Sequence, residues 1–247
     1  MVSRNEICSV IPAAGKGSRL GGNCPKIFTE IYEKKTIWNI LNSKLNKFIE
    51  HHCLVLNPDS YRQYGHKITP ETKISIQKKP IGMGDAIFQG YEHWSLSPYV
   101  LIVWGDQVHV SEETIKKVID SFGENENQIV LPIVRQEKPY VEYIFSSEKL
   151  VEIKQSREGD ITTPNGFSDI GVFGLSTSGL KAHWENFTQK NTLGSGTGEI
   201  NFLPFLVYLS SVANWEIFKI IIDDVDESRG INTPEDLNYF RDKYSKR

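Results

Sequence analysis

Three features of this 247-residue chain predict an α/β fold: a mostly parallel twisted sheet with helices on both faces and a small β-rich insertion. Apolar, strand-like runs alternate with helical patterns through the first half, as a sheet covered on both sides requires. The first run, Val10-Ile11-Pro12-Ala13-Ala14, opens directly into Gly15-Lys16-Gly17-Ser18-Arg19-Leu20 and closes with Pro25-Lys26. A later run, Tyr99–Trp104, is apolar throughout and stops at Gly105-Asp106. Such runs fit strands buried on both faces, which leave no side for polar residues.

In chain order, Glu6–Ala13 reads as the first strand and Thr36–Ile49 as a helix. That helix carries Ile37, Ile40, Leu41, Leu45, Phe48 and Ile49 on one stripe. Cys53–Leu56 and Lys73–Gln77 read as strands, Gly84–Trp94 as a helix, and Ser111–Phe122 as a helix with Ile115, Val118, Ile119 and Phe122 inward. The second half changes character. Gln128–Arg135, Tyr140–Ser146, Leu150–Lys154 and Phe167–Leu175 read as strands with little helix between them, suited to the wall of a second-substrate site. Gly198–Leu209 and Pro234–Tyr244 read as closing helices. In the last, Thr233 stands at the N-cap, Pro234 in the first turn, Glu235 and Asp236 near the positive end and Lys243 near the negative end. One domain over 1–247 is expected, in two halves that meet near residue 125.

Composition narrows the function. A formal net charge of −3 argues against a nucleic-acid partner, which needs a basic face. No apolar run approaches the roughly 18 residues of a membrane span, and the first strand starts too early for a signal peptide. Cys8, Cys24 and Cys53 lack metal spacing and fit a reducing compartment, so a cytoplasmic protein is expected.

The glycine-rich loop carries the chemistry. Glycines let backbone N–H groups approach a ligand, and Lys16, Arg19 and Lys26 add three cations and no acid, making a cradle for a multiply charged anion such as a triphosphate. A helix N-terminus alone contributes only about 0.3–2 kcal/mol toward an anion, so the basic side chains and a metal are needed. A dinucleotide fingerprint is excluded because Leu20 stands where its third glycine belongs.

Asp106, at the end of a buried strand, is the leading metal-ligand candidate, and Mg²⁺ suits a hard carboxylate beside phosphates. The acid run Asp223–Glu227 reads as a solvated loop, whereas Asn232 precedes a capped helix and is held by it. Gln77 offers a donor and an acceptor that could pair with a pyrimidine edge, and Gly82 would let a base lie against backbone. The six histidines show no ligand or triad spacing and read as surface residues.

Together, Ala13-Ala14-Gly15-Lys16-Gly17-Ser18-Arg19-Leu20 with Pro25-Lys26, Gln77 with Gly82, Gly105-Asp106 and Gly230-Ile231-Asn232 resemble the sugar-1-phosphate nucleotidyltransferases. Within them, the chain looks most like the uridylyltransferase domains of the bacterial bifunctional N-acetylglucosamine-1-phosphate uridylyltransferases. The resemblance implies a Rossmann-like nucleotidyltransferase fold that joins an NTP, UTP first and CTP second, to a phosphorylated small molecule and releases pyrophosphate. It implies catalytic roles for Arg19 and Lys26, nucleotide contacts from Ala13, Ala14, Gly15, Lys16, Gly17, Gln77 and Gly82, and Mg²⁺ on Asp106 and Asn232. Glu152, Asp169 and Glu199 would contact the acceptor, and a monomer or homodimer is expected. Departures fall mainly on the acceptor side. Asp169 replaces the usual asparagine, Met83 and Asp85 replace a threonine and a histidine, and Val141-Glu142 lacks a usual glycine. The chain stops where an acetyltransferase repeat domain would start, so no acetyl transfer is expected. A cytidylyltransferase, a guanylyltransferase of the molybdenum-cofactor type and a non-catalytic nucleotide-binding regulator remain alternatives.

Overall fold

The computed structural model describes residues 2–15, 17, 20, 24–123, 125–190 and 193–245. Ten strands form one mixed sheet. Its parallel half is built from β1 (Ile7–Pro12), β4 (His51–Leu56), β5 (Lys73–Ile76) and β6 (Tyr99–Val103), in the order β5-β4-β1-β6. β11 (Val172–Ser176) joins β6 antiparallel, and the sheet continues through β7 (Gln128–Gln136), β10 (Gly166–Asp169), β8 (Val141–Ser146) and β9 (Lys149–Gln155). β12 (Glu216–Ile221) pairs parallel with β7. Only β9, β10 and β11 run against the other seven strands. The strands after residue 125 thus extend the same sheet, and a short ribbon of β2 (Glu30–Tyr32) and β3 (Lys35–Thr36) stands apart from it.

Alternation along the strands splits the core between the two faces. Ile7 and Ile11 of β1, Leu54 and Leu56 of β4, and Leu101 and Val103 of β6 face one cluster. Cys8 and Val10, Cys53 and Val55, Val100 and Ile102 face the other. The first cluster is closed by α1 (Ile37–Leu45), α5 (Glu112–Asp120) and α8 (Pro234–Ser245), which contribute Trp38, Leu41, Ile115, Val118 and Phe240. α3 (Met83–Gln89), α4 (Tyr91–Trp94), α6 (Leu180–Thr188) and α7 (Leu203–Ser211) close the second with Ile87, Trp94, Trp184, Phe187 and Phe205. Caps set several boundaries. Thr36 and Asn39 form a reciprocal capping box that starts α1, and the Ser111 hydroxyl accepts from the Thr114 N–H at the start of α5.

Some elements differ from the sequence expectation. The helix read over Gly84–Trp94 breaks at Gly90 into α3 and α4. The strand read over Phe167–Leu175 breaks at Ile170-Gly171, where the chain leaves β10 and returns as β11. The helix expected from Gly198 starts at Leu203, because residues 194–201 spend their backbone groups on neighbouring loops instead. α2 (Pro58–Tyr64), capped by Asn57, and α6 were not anticipated. Among the described residues no helix is long and apolar enough to cross a membrane.

The histidines are not all on the surface. His52 is 2 % exposed and lies opposite Ser9 on the neighbouring strand. Its Nδ1 pairs with the Ser9 hydroxyl at 2.7 Å and its Nε2 with Asn46 Oδ1 at 2.7 Å. A carbonyl oxygen only accepts, so Nε2 carries the proton and Nδ1 accepts from Ser9. Burial, with the charge of His51 adding to it, lowers the pKa from 6.5 to about 4. Between those values the unfolded chain binds a proton that the folded chain refuses. Stability therefore falls as pH drops through 6.5 and levels off below about 4, a loss of roughly 3 kcal/mol from this group. Denaturant midpoints at pH 7.5 and 4.5 should differ less in His52→Gln than in wild type; an equal difference would contradict this role.

Candidate active site

The strand order reverses between β1 and β6: β4 and β5 were added on one side of β1, then β6 on the other. Loops leaving adjacent strands at such a point diverge, and a crevice opens beyond their carboxyl ends. Here that crevice is a cavity of about 710 Å³. It is lined by Ala13, Ala14, Gly15 and Gly17 after β1, by Gln77 and Gly82 after β5, and by Gly105 and Asp106 after β6. Lys26 and Asn232 complete that side, while Asp169 and Glu199 line the other. Lys16 and Arg19 of the expected set lie outside the described residues.

Backbone bonds hold the first loop over the sheet. Ala13 donates its N–H to Val55 O at 2.8 Å, and the Asn57 side chain donates to Ala14 O at 2.8 Å. Pro25 leads into a 3-10 turn, Lys26–Phe28, whose Ile27 and Phe28 are buried. This anchors the backbone of Lys26 while its side chain extends into the cavity. Lys26 Nζ donates to Asp106 Oδ2 at 2.9 Å and to Asn232 Oδ1 at 2.8 Å. Three distant segments therefore meet at one nitrogen.

Asn232 is placed by the first turn of α8. Asp236 Oδ2 accepts the N–H groups of Asn232 and Thr233, each at 3.0 Å, and Oδ1 accepts from Arg229 Nε at 2.9 Å. Burial alone would raise the Asp236 carboxyl; these bonds outweigh it and hold the group below its ordinary range. Gly230 allows the close approach, since a Cβ there would sit 3.0 Å from Asp106 Cγ.

The part of the cavity around Gly82 is built differently. Gly82 has φ 138°, and a Cβ on it would lie 2.4 Å from the Ile200 carbonyl oxygen. Ile200 donates to Ile81 O at 2.7 Å and accepts from Gly84 N–H at 3.1 Å, zipping the two segments together. Gln77 is buried beneath them, 3 % exposed.

On the opposite wall, Asp169 takes the Gly171 N–H at 2.7 Å and the Tyr143 hydroxyl at 3.1 Å. Burial pushes its carboxyl up against those bonds, and the charge of Asp106 adds to the rise. Glu199 faces Arg157 at 3.8 Å. Glu152 is not in the cavity. It is exposed on β9, and alternation along that strand turns Gln155 inward instead. Gln155, Arg157, Gln107 and Trp104 also line the cavity and were not singled out from sequence. For Gln155 the signal was available in the strand's inward period, once the register was known.

Among the described residues, one group elsewhere brings three metal-capable side chains together: His109, Asp224 and Asp226. None of them lines the cavity. His109 is buried, correcting its reading as a surface residue, and Asp226 is bonded to Tyr239 and Lys243. Glu227, also from the acid run, is buried and accepts the Ser111 N–H at 3.1 Å, so that run is partly structural rather than wholly solvated.

Comparison with known proteins agrees with this arrangement. The MobA-like NTP transferase domain matches residues 9–163. The bifunctional protein GlmU of Buchnera aphidicola subsp. Schizaphis graminum (strain Sg) is 23 % identical over 99 % of this chain and 52 % of its own length. GlmU of Desulfitobacterium hafniense (strain Y51) is 24 % identical over 93 % of the chain and 50 % of its length. The chain spans about half the length of these curated relatives. Two solved structures share the fold. The 4-diphosphocytidyl-2C-methyl-D-erythritol synthase of Anaerococcus prevotii DSM 20548 superposes with TM-score 0.68 at 15 % identity, covering 98 % of this chain and 97 % of that one. The inositol-1-phosphate CTP transferase of T. maritima gives 0.64 at 20 % identity and covers 98 % of both chains.

The seating of Gly82 against Ile200 is directly testable. Gly82→Ala should destabilise the protein by about 1–3 kcal/mol, since both φ and the contact are violated, and this would be read as a lower melting temperature. An unchanged melt would mean that the two loops do not meet. With the strand-end cavity, the glycine-rich loop and a family match over more than half of its length, this chain belongs to the MobA-like NTP transferase family, with a Rossmann-like nucleotidyltransferase fold.

Proposed function

We propose that this protein condenses an NTP, UTP, with a sugar-1-phosphate or similar phosphorylated metabolite, giving an NDP-sugar and pyrophosphate. The observation that carries this reading is the junction of Lys26 with Asp106 and Asn232 at the strand-end cavity. A carboxylate and an amide oxygen that share one cation form a site for charge exchange with phosphates, and pure nucleotide storage would not need it.

A phosphate oxygen of the acceptor attacks the α-phosphorus in line. A new P–O bond forms, the α–β bridging P–O bond breaks, and pyrophosphate carries the electron pair away. The nucleophile arrives ionised, so no general base is required and catalysis is positioning and charge neutralisation. The backbone N–H groups of Ala14, Gly15 and Gly17 are those left to cradle the triphosphate, since Ala13 spends its own on Val55, with Lys16 and Arg19 adding charge. Lys26, once a phosphate competes for its ammonium, turns from Asp106 toward the leaving group. Asp106 and Asn232 present converging hard oxygens and so fit Mg²⁺, which when bound supplies further neutralisation of the phosphates. Gln77 and Gly82 read the base. Asp169, Glu199 and Arg157 flank the acceptor, and the acidic Asp169 favours a group that presents a donor, a hydroxyl or an ammonium.

Lys26→Ala and Asp106→Ala should each lower turnover by roughly 10²–10³, the equivalent of about 2–4 kcal/mol of transition-state stabilisation, with the fold intact. A panel of four NTPs against phosphorylated acceptors, read by pyrophosphate release, tests the whole reading. Near-normal release from either variant would retire the assignments, and tight nucleotide binding without release would favour a regulatory binder.

A further inference from the structure

The Gln77 carboxamide is held in a single orientation. Its Nε2 donates to the Gly82 carbonyl oxygen at 3.0 Å and to Asp85 Oδ2 at 2.8 Å. Both partners are acceptors only. Turning the amide over would set Oε1 against a carbonyl and a carboxylate, and both bonds would become repulsions. Among the described residues no donor reaches Oε1, so the oxygen is the atom this amide can offer to a bound base.

Asp85 is well placed to keep it so. It stands in the first turn of α3, where the helix dipole favours a negative charge. Gln89 reaches its other oxygen at 3.4 Å from one turn on. The Asp85 side chain does not line the cavity, so any effect on a ligand passes through Gln77.

We propose that Asp85 is a positioning residue for base selection. It pins the Gln77 amide with Oε1 outward, presenting a fixed acceptor to the base edge. Uracil meets that acceptor with its ring N3–H; cytosine has a lone pair at N3 and can meet it only through its N4 amino group, one position along the edge. This rests on the nucleotidyltransferase reading above and adds to it the residue that separates UTP from CTP.

The test compares wild type with Asp85→Leu and Asp85→Asn, by equilibrium binding of UTP and of CTP and by pyrophosphate release with each. Wild type should favour UTP. Asp85→Leu, near in size and without an acceptor, should shrink the UTP-to-CTP ratio about tenfold, as loss of one buried hydrogen-bond preference implies. Asp85→Asn keeps a carbonyl within reach and should retain most of the ratio. Asp85→Ala makes the same test should leucine disturb α3. A residue that merely supported the fold would weaken both nucleotides alike, so an unchanged ratio overturns the proposal, as does a wild-type preference for CTP. Selective UTP binding with no pyrophosphate release would sink the proposed transfer while the binding ratios still judge Asp85. Binding of neither nucleotide overturns both.

Discussion

Two acceptor oxygens and one ammonium share a point at the rim of the sheet, and much of the local architecture exists to bring them there. Asp106 comes from the end of β6, Lys26 from the turn after the glycine-rich loop and Asn232 from the start of α8. Charge-assisted bonds of this kind contribute roughly 1.5–3 kcal/mol each, but the carboxylate would be left poorly compensated without its cation. In this structure the Lys26 ammonium supplies that charge. That is the useful property for chemistry on phosphates: a cation held by two exchangeable contacts can transfer its charge to a stronger anion without any rearrangement of the backbone.

Rigidity around the junction comes from where its members sit. β1 and β6 are buried on both faces and pair directly, so their carboxyl ends are fixed relative to each other. Asn232 lacks a strand and is held instead by Asp236, which accepts two successive backbone N–H groups and ties Arg229 to the same carboxylate. This side of the cavity is thus borne by regular elements and their caps. The opposite wall is borne by the β8–β9 hairpin and by loops, whose side chains can change without disturbing the parallel half.

That division also explains what could be read in the sequence. The apolar runs of β1 and β6 and the stripe of α1 were legible because buried parallel strands and amphipathic helices impose periods on the chain. Gly15, Gly17, Lys26, Asp106 and Asn232 were legible because few folds need those residue types just past such runs. Glu152 was misplaced because β9 alternates polar residues on both faces, so composition gave no inward side; the pairing that turns Gln155 inward is a long-range property. His52 escaped because its neutralising partners, Ser9 and Asn46, are supplied by an adjacent strand and a helix end. α2 is short and buries only Ser60, so it leaves almost no apolar signature.

Long-range bonding also joins the two halves of the cavity mechanically. Glu158, just past β9, accepts from the Gly196 N–H at 2.7 Å, from the Thr197 hydroxyl at 2.8 Å and from Asn201 Nδ2 at 3.0 Å. Burial alone would raise its carboxyl; the bonds from Asn201, Thr197 and Gly196 outweigh it and keep the group below its usual range. This carboxylate, with the Gly194–Glu199 and Gly198–Gly194 backbone bonds, ties residues 194–201 into a loop. Ile200 of that loop clamps the backbone of Ile81 and Gly84, which frames Gly82 and, beneath it, Gln77. Glu199, beside Ile200, faces Arg157 on the opposite wall of the cavity. Residues 194–201 thus tie the Arg157 wall of the cavity to the loop that carries Gly82 through a short stretch of backbone.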